Sequence, residues 1–546
     1  MRLSYFVLIV FLVTGCSASR FYTKQTLNPD VEKDTRKALL QELTLFSTAE
    51  VHNNCLSQNK STDVGLVLQL YCSSELLARH DLSKPLKKYA IQLYNNSLFS
   101  LLKMGESQQG CQPKVSVVQN GSSQFVYSKE MNALESRLQP NIFGEIGVPI
   151  VTFRENTTKG LDLYYPLEGV FNSASFVVSE IIVKGDTYHI NVETIPFNDS
   201  NKVITFGTQP YSLKHSPGAA FLHLIEQANI DDFSWLGFVL PTQAEKRRGV
   251  FAIGGIEKHK IPLFMIHGLN SDPLIWRYLT MAILNTPQIS KKFQIYHIYY
   301  PSGPPPFYTA MRTRDNLKQL IKDINHGANQ SAVIIGHSMG GIIAKLLATK
   351  SDNYLWQETF TKTPEEVLSE KNAKLKDIFI FKPAYENNTV FFMDTPLKGS
   401  ETANTLIGSL GSTLINLPTE FTQLFKQLLA DISPDIITPQ MRPLLEKYGP
   451  NSVQVLRPGH PLMGTLYSLP LSGESYAIIG SSGGTYCKSK DECSKITDGV
   501  VKYDSANYQY AKERLIVPSS HNSFQAEEAI KFILDKLKDL DSDFNR

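Results

Sequence analysis

The pentapeptide Gly336-His337-Ser338-Met339-Gly340 sets a serine between two glycines, directly after the apolar run Ala332–Ile335. Glycines two residues either side let neighbouring backbone approach without a Cβ clash, so a tight strand–turn–helix can lift the hydroxyl above a sheet edge. A helix expected from about Gly341 aims its positive end at any negative charge that develops there. The pattern alone is weak, because Gly480-Ser481-Ser482-Gly483-Gly484 also fits it. That copy runs into a polar, cysteine-bearing loop with no helix behind it. Ser338 is the expected nucleophile.

A serine hydroxyl attacks only when a base removes its proton, and the base needs a carboxylate to orient it. Two histidines lie beyond Ser338, His460 and His521. His460 sits in a Pro-Gly-His-Pro turn. His521 follows the last expected strand, Arg514–Val517, and precedes the last helix, which suits the chain order serine, acid, histidine. Three aspartates compete for the acid. Asp394 ends the strand Thr389–Met393, Asp498 follows the strand Ser475–Ile479 within Thr497-Asp498-Gly499-Val500-Val501, and Asp504 reads as a helix cap or surface charge. Asp498 is the expected acid. The expected oxyanion donors are the backbone N–H groups of Met339, after the nucleophile, and Leu269, after the strand Pro262–Ile266. The His267 side chain is expected to be structural.

These residues need a scaffold, and from about Gly249 the chain supplies strands alternating with helices. Pro262–Ile266, Phe293–Tyr300 and Ala332–Ile335 are continuous apolar runs, as strands buried on both faces of a parallel sheet require. Helices fit Leu274–Leu284, a segment carrying Leu317, Leu320, Ile321 and Ile324, and a last one with Ala526, Ala529, Ile530, Ile533, Leu534 and Leu537 on its core face. The expected class is therefore α/β with a mainly parallel sheet over 249–546. Two insertions, at about 351–388 and 400–470, are expected at the carboxyl ends of the strands as a cap. Leu406, Leu410, Leu414 and Ile415 give the second an apolar stripe, read as the cap's own core or as a surface for acyl chains. Upstream, 16–110 reads as helical: Leu39, Leu40, Leu43 and Phe46 share one face, Leu66, Leu70, Leu76 and Leu77 another, and a third helix spans Ser83 to about Met104. Residues 111–248 carry short β-branched and aromatic runs broken by Gly, Asn and Pro, the texture of a β-rich domain.

With 546 residues, 42% of them hydrophobic, the chain has material for two or three packed units. Lys+Arg at 54 against Asp+Glu at 52 leaves no basic stripe, so nucleic acid is excluded as an expected partner. Residues 1–15 have the form of an export signal: Arg2, the apolar run Tyr5–Val13, then Val13-Thr14-Gly15-Cys16. The run is too short for a permanent membrane span. It resembles a bacterial lipoprotein signal, which implies lipidation of Cys16, an anchor in a membrane and, with Ser17 following, the outer membrane. In an oxidising compartment Cys487 and Cys493, flanking a short loop, are expected to bridge. Cys55 with Cys72 is the second candidate pair, leaving Cys111. The cysteine spacing is not that of a zinc site, and no metal or cofactor is expected.

Six segments taken in order carry a broader likeness: HGLNSDPLIW from His267, YPSGPP from Tyr300, GHSMGG from Gly336, DTPLKGS from Asp394, TDGVV from Thr497 and VPSSHNSF from Val517. With FGEIGVPIV from Phe143 more weakly, they resemble a bacterial family of lipoprotein-type α/β-hydrolases related to lipase-like esterases. By position the resemblance implies Ser338, Asp498 and His521 as a triad cleaving ester or lipid substrates. Leu397 stands where family members more often carry a histidine, and the family has no aspartate at the place of Asp394. An acyltransferase with the same triad, a peptidase and a non-catalytic surface lipoprotein are the rival readings.

Overall fold

The computed structural model describes residues 21–25, 62–107, 115–120, 124–184, 187–197, 203–228, 245–324, 331–369, 373–402, 421–423, 426, 433–444, 451–484 and 487–540. After the first described segment, 21–25, come two helices, α1 (Asp63–Leu77) and α2 (Lys84–Ser107). Thr62 caps α1 by accepting from the Gly65 N–H, and Leu66, Leu70, Leu76 and Leu77 are all buried as the spacing requires. They pack on a five-stranded sheet of β1 (Val115–Asn120), β2 (Phe125–Tyr127), β3 (Val148–Arg154), β4 (Val170–Lys184) and β5 (Thr187–Pro196), ordered β1-β5-β4-β3-β2.

Two features of this region depart from expectation. Within 16–110, expected to be helical, the first described residues form a short strand, Tyr22–Lys24, paired antiparallel with Met131–Ala133. The β-rich stretch contains a helix, α3 (Pro217–Gln227), with Pro at its first turn and seven apolar or small residues buried between Gly218 and Ile225 beside His223. Leu39, Leu40, Leu43 and Phe46 lie outside the described residues, as do Leu406, Leu410, Leu414 and Ile415.

The second sheet has seven strands: β6 (Gly249–Ala252), β7 (Ile261–Ile266), β8 (Phe293–Tyr299), β9 (Ser331–His337), β10 (Asn387–Met393), β11 (Gly473–Gly480) and β12 (Glu513–Val517), ordered β6-β8-β7-β9-β10-β11-β12. β6 pairs antiparallel and every other pair is parallel. Every residue of β7 and β8 is buried, because helices cover both faces. α5 (Pro306–Ile324) and α6 (Met339–Leu347) pack on one face; α4 (Arg277–Leu284) and α7 (Glu527–Asp539) pack on the other. This is an α/β fold. The strand order reverses between β7 and β9, and in such sheets the crevice at the carboxyl ends there is where chemistry is placed.

The first insertion does not lie where it was expected. α6 runs back from the carboxyl end of β9, so 351–388 leaves its far end and leads into the start of β10. It therefore attaches at the amino-terminal end of the sheet, where the Ala348 carbonyl accepts from Ser472 N–H at 2.7 Å and the Ser472 carbonyl accepts from Asn388 N–H at 2.8 Å. The second insertion does leave from a carboxyl end, that of β10. Its later part joins the first through the Phe360–Ile437 bridge and ends in a helix at Pro461–Ser468. Cys487 and Cys493 form a disulfide. Cys72 is disulfide-bonded as well, while Cys55, Cys111 and the lipidation candidate Cys16 lie outside the described residues. No helix among the described residues is long and apolar enough to cross a membrane.

Candidate active site

Ser338 is the hinge between β9 and α6, with φ 54° and ψ −124°. Such a left-handed conformation is unfavourable for a residue with a side chain and persists only where neighbours enforce it. Here they do: Ser338 N–H donates to the Met393 carbonyl at 2.9 Å, and the Ser338 carbonyl accepts from Gly341 N–H at 3.0 Å. The elbow glycines are held by close approach rather than by φ. A Cβ on Gly336 would meet the Gly340 carbonyl oxygen at 2.5 Å, and one on Gly340 would meet the Ile266 carbonyl oxygen at 2.3 Å.

The second serine motif differs. Gly480 ends β11, and Ser482 is exposed, its N–H and hydroxyl both donating to the Thr497 carbonyl. No helix follows.

Ser338 Oγ lies 2.9 Å from His521 Nε2, and His521 Nδ1 lies 2.6 Å from Asp498 Oδ2. Asp498 is held in turn by Val500 and Val501 N–H, which donate to its Oδ1 at 2.7 and 2.6 Å. The three side chains come from the ends of β9, β11 and β12, brought to one edge of the sheet by parallel pairing. Burial draws the His521 pKa down, but the hydrogen bond and charge of Asp498, with the charge of Asp394, outweigh it and leave the pKa raised. The arrangement can take a proton from Ser338 Oγ and hold it as a stabilised imidazolium.

Met339 N–H starts α6, so as a first-turn donor it has no partner within the helix. Leu269 follows β7 in a loop packed against Ser338, where a Cβ on Gly268 would stand 3.0 Å from Ser338 Cβ. That loop is pinned from outside: Tyr300 hydroxyl donates to the His267 carbonyl at 2.6 Å, its ring stacks on His267 at 4.3 Å, and Asn270 N–H donates to Ser302 Oγ at 3.0 Å. Burial lowers the His267 pKa to about 4, keeping the ring neutral. Asp272 caps the next turn through Leu274 N–H, and burial lifts its pKa to about 6.

Among the described residues the other sequence candidates do not join this line of hydrogen bonds. His460 is buried at the start of the helix Pro461–Ser468, its pKa lowered by burial to about 4. Asp504 is exposed in the first turn of a four-residue helix, Tyr503–Ala506. Leu397 is buried in the core. Asp394 lies close to His521 and is fully buried beside His337, with 3.8 Å between Asp394 Oδ2 and His337 Nε2. Among the described residues His337, Asp394 and His521 are the one group with metal-like proximity, each offering an atom within 4.8 Å of the others. The Asp394 oxygens already accept Gly480 and Ser523 N–H groups, and His521 Nδ1 is engaged with Asp498. His337 was not singled out from the sequence; its place beside a motif serine was the only available sign.

No family model matches the chain, and no curated protein does. Among solved structures the chain is similar to a Bacillus licheniformis lipase, BlEst2, in mature form, at 13% identity over 53% of this chain and 97% of that one, with a TM-score of 0.30. It is similar also to a carboxylesterase of the thaumarchaeon Nitrososphaera gargenis, at 16% over 54% and 96%, with a TM-score of 0.27. A third is the phospholipase PlaB of Legionella pneumophila, at 14% over 46% of each chain, again at 0.27.

Proposed function

We propose that this chain is a serine hydrolase that cleaves carboxylic esters through an acyl-enzyme. The observation that carries the reading is the unbroken line from Ser338 Oγ to His521 Nε2 and from His521 Nδ1 to Asp498 Oδ2, at 2.9 and 2.6 Å. In this reading His521 takes the Ser338 proton as Oγ attacks the ester carbonyl. Met339 and Leu269 N–H stabilise the tetrahedral oxyanion, each contributing about 3–4 kcal/mol to the barrier difference. Imidazolium then returns the proton to the departing alkoxide, and water repeats the sequence on the acyl-enzyme.

Lipid esters are the proposed substrate class, on the strength of the proposed export and lipidation at Cys16, which would set the enzyme at a membrane surface. Two acyl chains suffice for stable anchoring, since each buried methylene contributes about 0.8 kcal/mol. Turnover of short- and long-chain nitrophenyl esters by wild type and Ser338→Ala tests the hydrolase reading. Ser338→Ala is expected to lose at least about 10⁴-fold in kcat. Equal turnover by both proteins would overturn it.

A further inference from the structure

Asp394 combines two unfavourable features. It is a fully buried carboxylate, and its φ of 47° is left-handed. Such features persist where surrounding groups over-determine them, and they concentrate at functional sites. The groups that hold Asp394 belong to the machinery of the base. Its Oδ1 accepts from Gly480 N–H at 2.7 Å, at the end of the strand that leads to the Asp498 loop. Its Oδ2 accepts from Ser523 N–H at 3.0 Å, two residues past His521. A Cβ on Gly480 would stand 3.0 Å from both Asp394 Oδ1 and Asp498 Cβ, so glycine there lets the two acid-bearing segments close up.

A carboxylate oxygen of Asp394 is also within 4.8 Å of a His521 ring nitrogen. The groups facing Asp394 are His337 on β9, Asp498 and His521. His337 is fully buried and its pKa lies well below the usual value, first through burial, so it adds no positive charge. Burial and then the charge of Asp498 raise Asp394 itself to about 6, which leaves it ionised at neutral pH and above.

Resting on the triad reading, we propose that Asp394 is a second carboxylate for His521. It is a positioning residue that ties the end of β11 to the histidine loop, and its charge supports the imidazole when Asp498 is neutralised. Loss of an ordinary triad acid is severe because the imidazole adopts the wrong tautomer. A second negative charge near the ring stabilises the imidazolium and so limits that loss. Asn is the right replacement at 498, because its carbonyl oxygen can still accept the Val500 and Val501 N–H groups and keep the loop in place.

The test compares full-length wild type, Asp394→Asn, Asp498→Asn and the double variant on a short nitrophenyl ester, with Ser338→Ala as the blank, across about pH 5 to 9. Asp498→Asn is expected to lose about 10²-fold, where a triad with no second acid loses about 10⁴-fold. The double variant is expected to fall the remaining distance. Asp394→Asn alone is expected to lower kcat by less than Asp498→Asn does, while the acid limb of kcat/KM moves down by about one pH unit as the charge near His521 is removed. An unmoved acid limb, with Asp498→Asn and the double variant equally active, overturns the proposal. If Asp394→Asn does not fold, Asp498→Asn alone still decides, because a full 10⁴-fold loss contradicts a second acid. If turnover does not depend on Ser338, the triad reading fails and this inference with it. If it does depend on Ser338 and the Asp394 exchange is silent, only this inference fails.

Discussion

Gly340→Ala puts one methyl group where the fold leaves no room. The added Cβ would lie 2.3 Å from the Ile266 carbonyl oxygen, 2.4 Å from the His267 carbonyl oxygen and 2.8 Å from the Ile266 carbonyl carbon. All three atoms are backbone, at the point where β7 passes into the loop that carries Leu269, so no side-chain rotation relieves the contact. Reaching ordinary van der Waals distance requires α6 and that loop to separate by about 1 Å. Overpacking of this kind costs about 1–3 kcal/mol of stability. The catalytic cost is larger, because Met339 N–H and Leu269 N–H stand on the two segments that are pushed apart. A misplacement of about 1 Å costs on the order of 10²-fold, and full loss of one donor costs about 10²–10³-fold. Thermal unfolding and single-turnover ester kinetics measure the two effects separately. The expected result is a modest fall in Tm with a fall in kcat of at least about 10²-fold. Wild-type kcat in a folded Gly340→Ala protein would refute the reasoning, since the two donors would then not depend on this contact.

Two further outcomes follow from buried titrating groups. In the proposed mechanism His521 acts as a base only when unprotonated, and its pKa is raised. The kcat/KM of the wild type should therefore fall as pH drops through a midpoint above the ordinary histidine value, about 6.5; a midpoint below it would contradict the assigned surroundings. Lys345 is buried on α6, donating to the Leu469 carbonyl at 2.8 Å and to Tyr508 hydroxyl at 2.9 Å, and burial lowers its pKa to about 7. Between about pH 7 and 10.4 the unfolded chain holds this proton and the folded chain does not, so stability gains with rising pH and the gain is complete at the upper value. Tm curves of wild type and Lys345→Met should diverge across that window, with wild type gaining relative to the variant; parallel curves would count against the buried titration.

How legible the molecule was depended on which features are local. The strands of the second sheet could be read because a strand buried on both faces needs a continuous apolar run, which Pro262–Ile266 and Ala332–Ile335 supply. The two serine motifs could be separated because one of them joins a strand to a helix. Chain order left two histidines and three aspartates open; His521 could be selected by its place after the last strand and Asp498 by its place after the strand before it, and the fold sets the two within hydrogen-bonding reach of one another. α3 was missed because Pro217–Gln227 is short and lies among runs that read as strands, so its Pro-initiated apolar pattern had no neighbours of its kind. The misplacement of 351–388 has a different cause. The length of an insertion does not say which end of a strand it hangs from; that depends on the helix before it running back across the sheet. Asp394 was weighed as an acid by its place at the end of β10, but its contacts with Gly480 and Ser523 span long sequence separations that no spacing rule encodes.

The central claim is that Ser338 is a nucleophile activated by His521. Treatment of the full chain with a fluorophosphonate, followed by mass spectrometry of the peptide containing Gly336–Gly340, tests it most directly. The account requires a covalent adduct on Ser338 in wild type, formed much more slowly in His521→Ala and absent in Ser338→Ala. An unlabelled Ser338 in folded wild-type protein, or labelling at the same rate without His521, would contradict it.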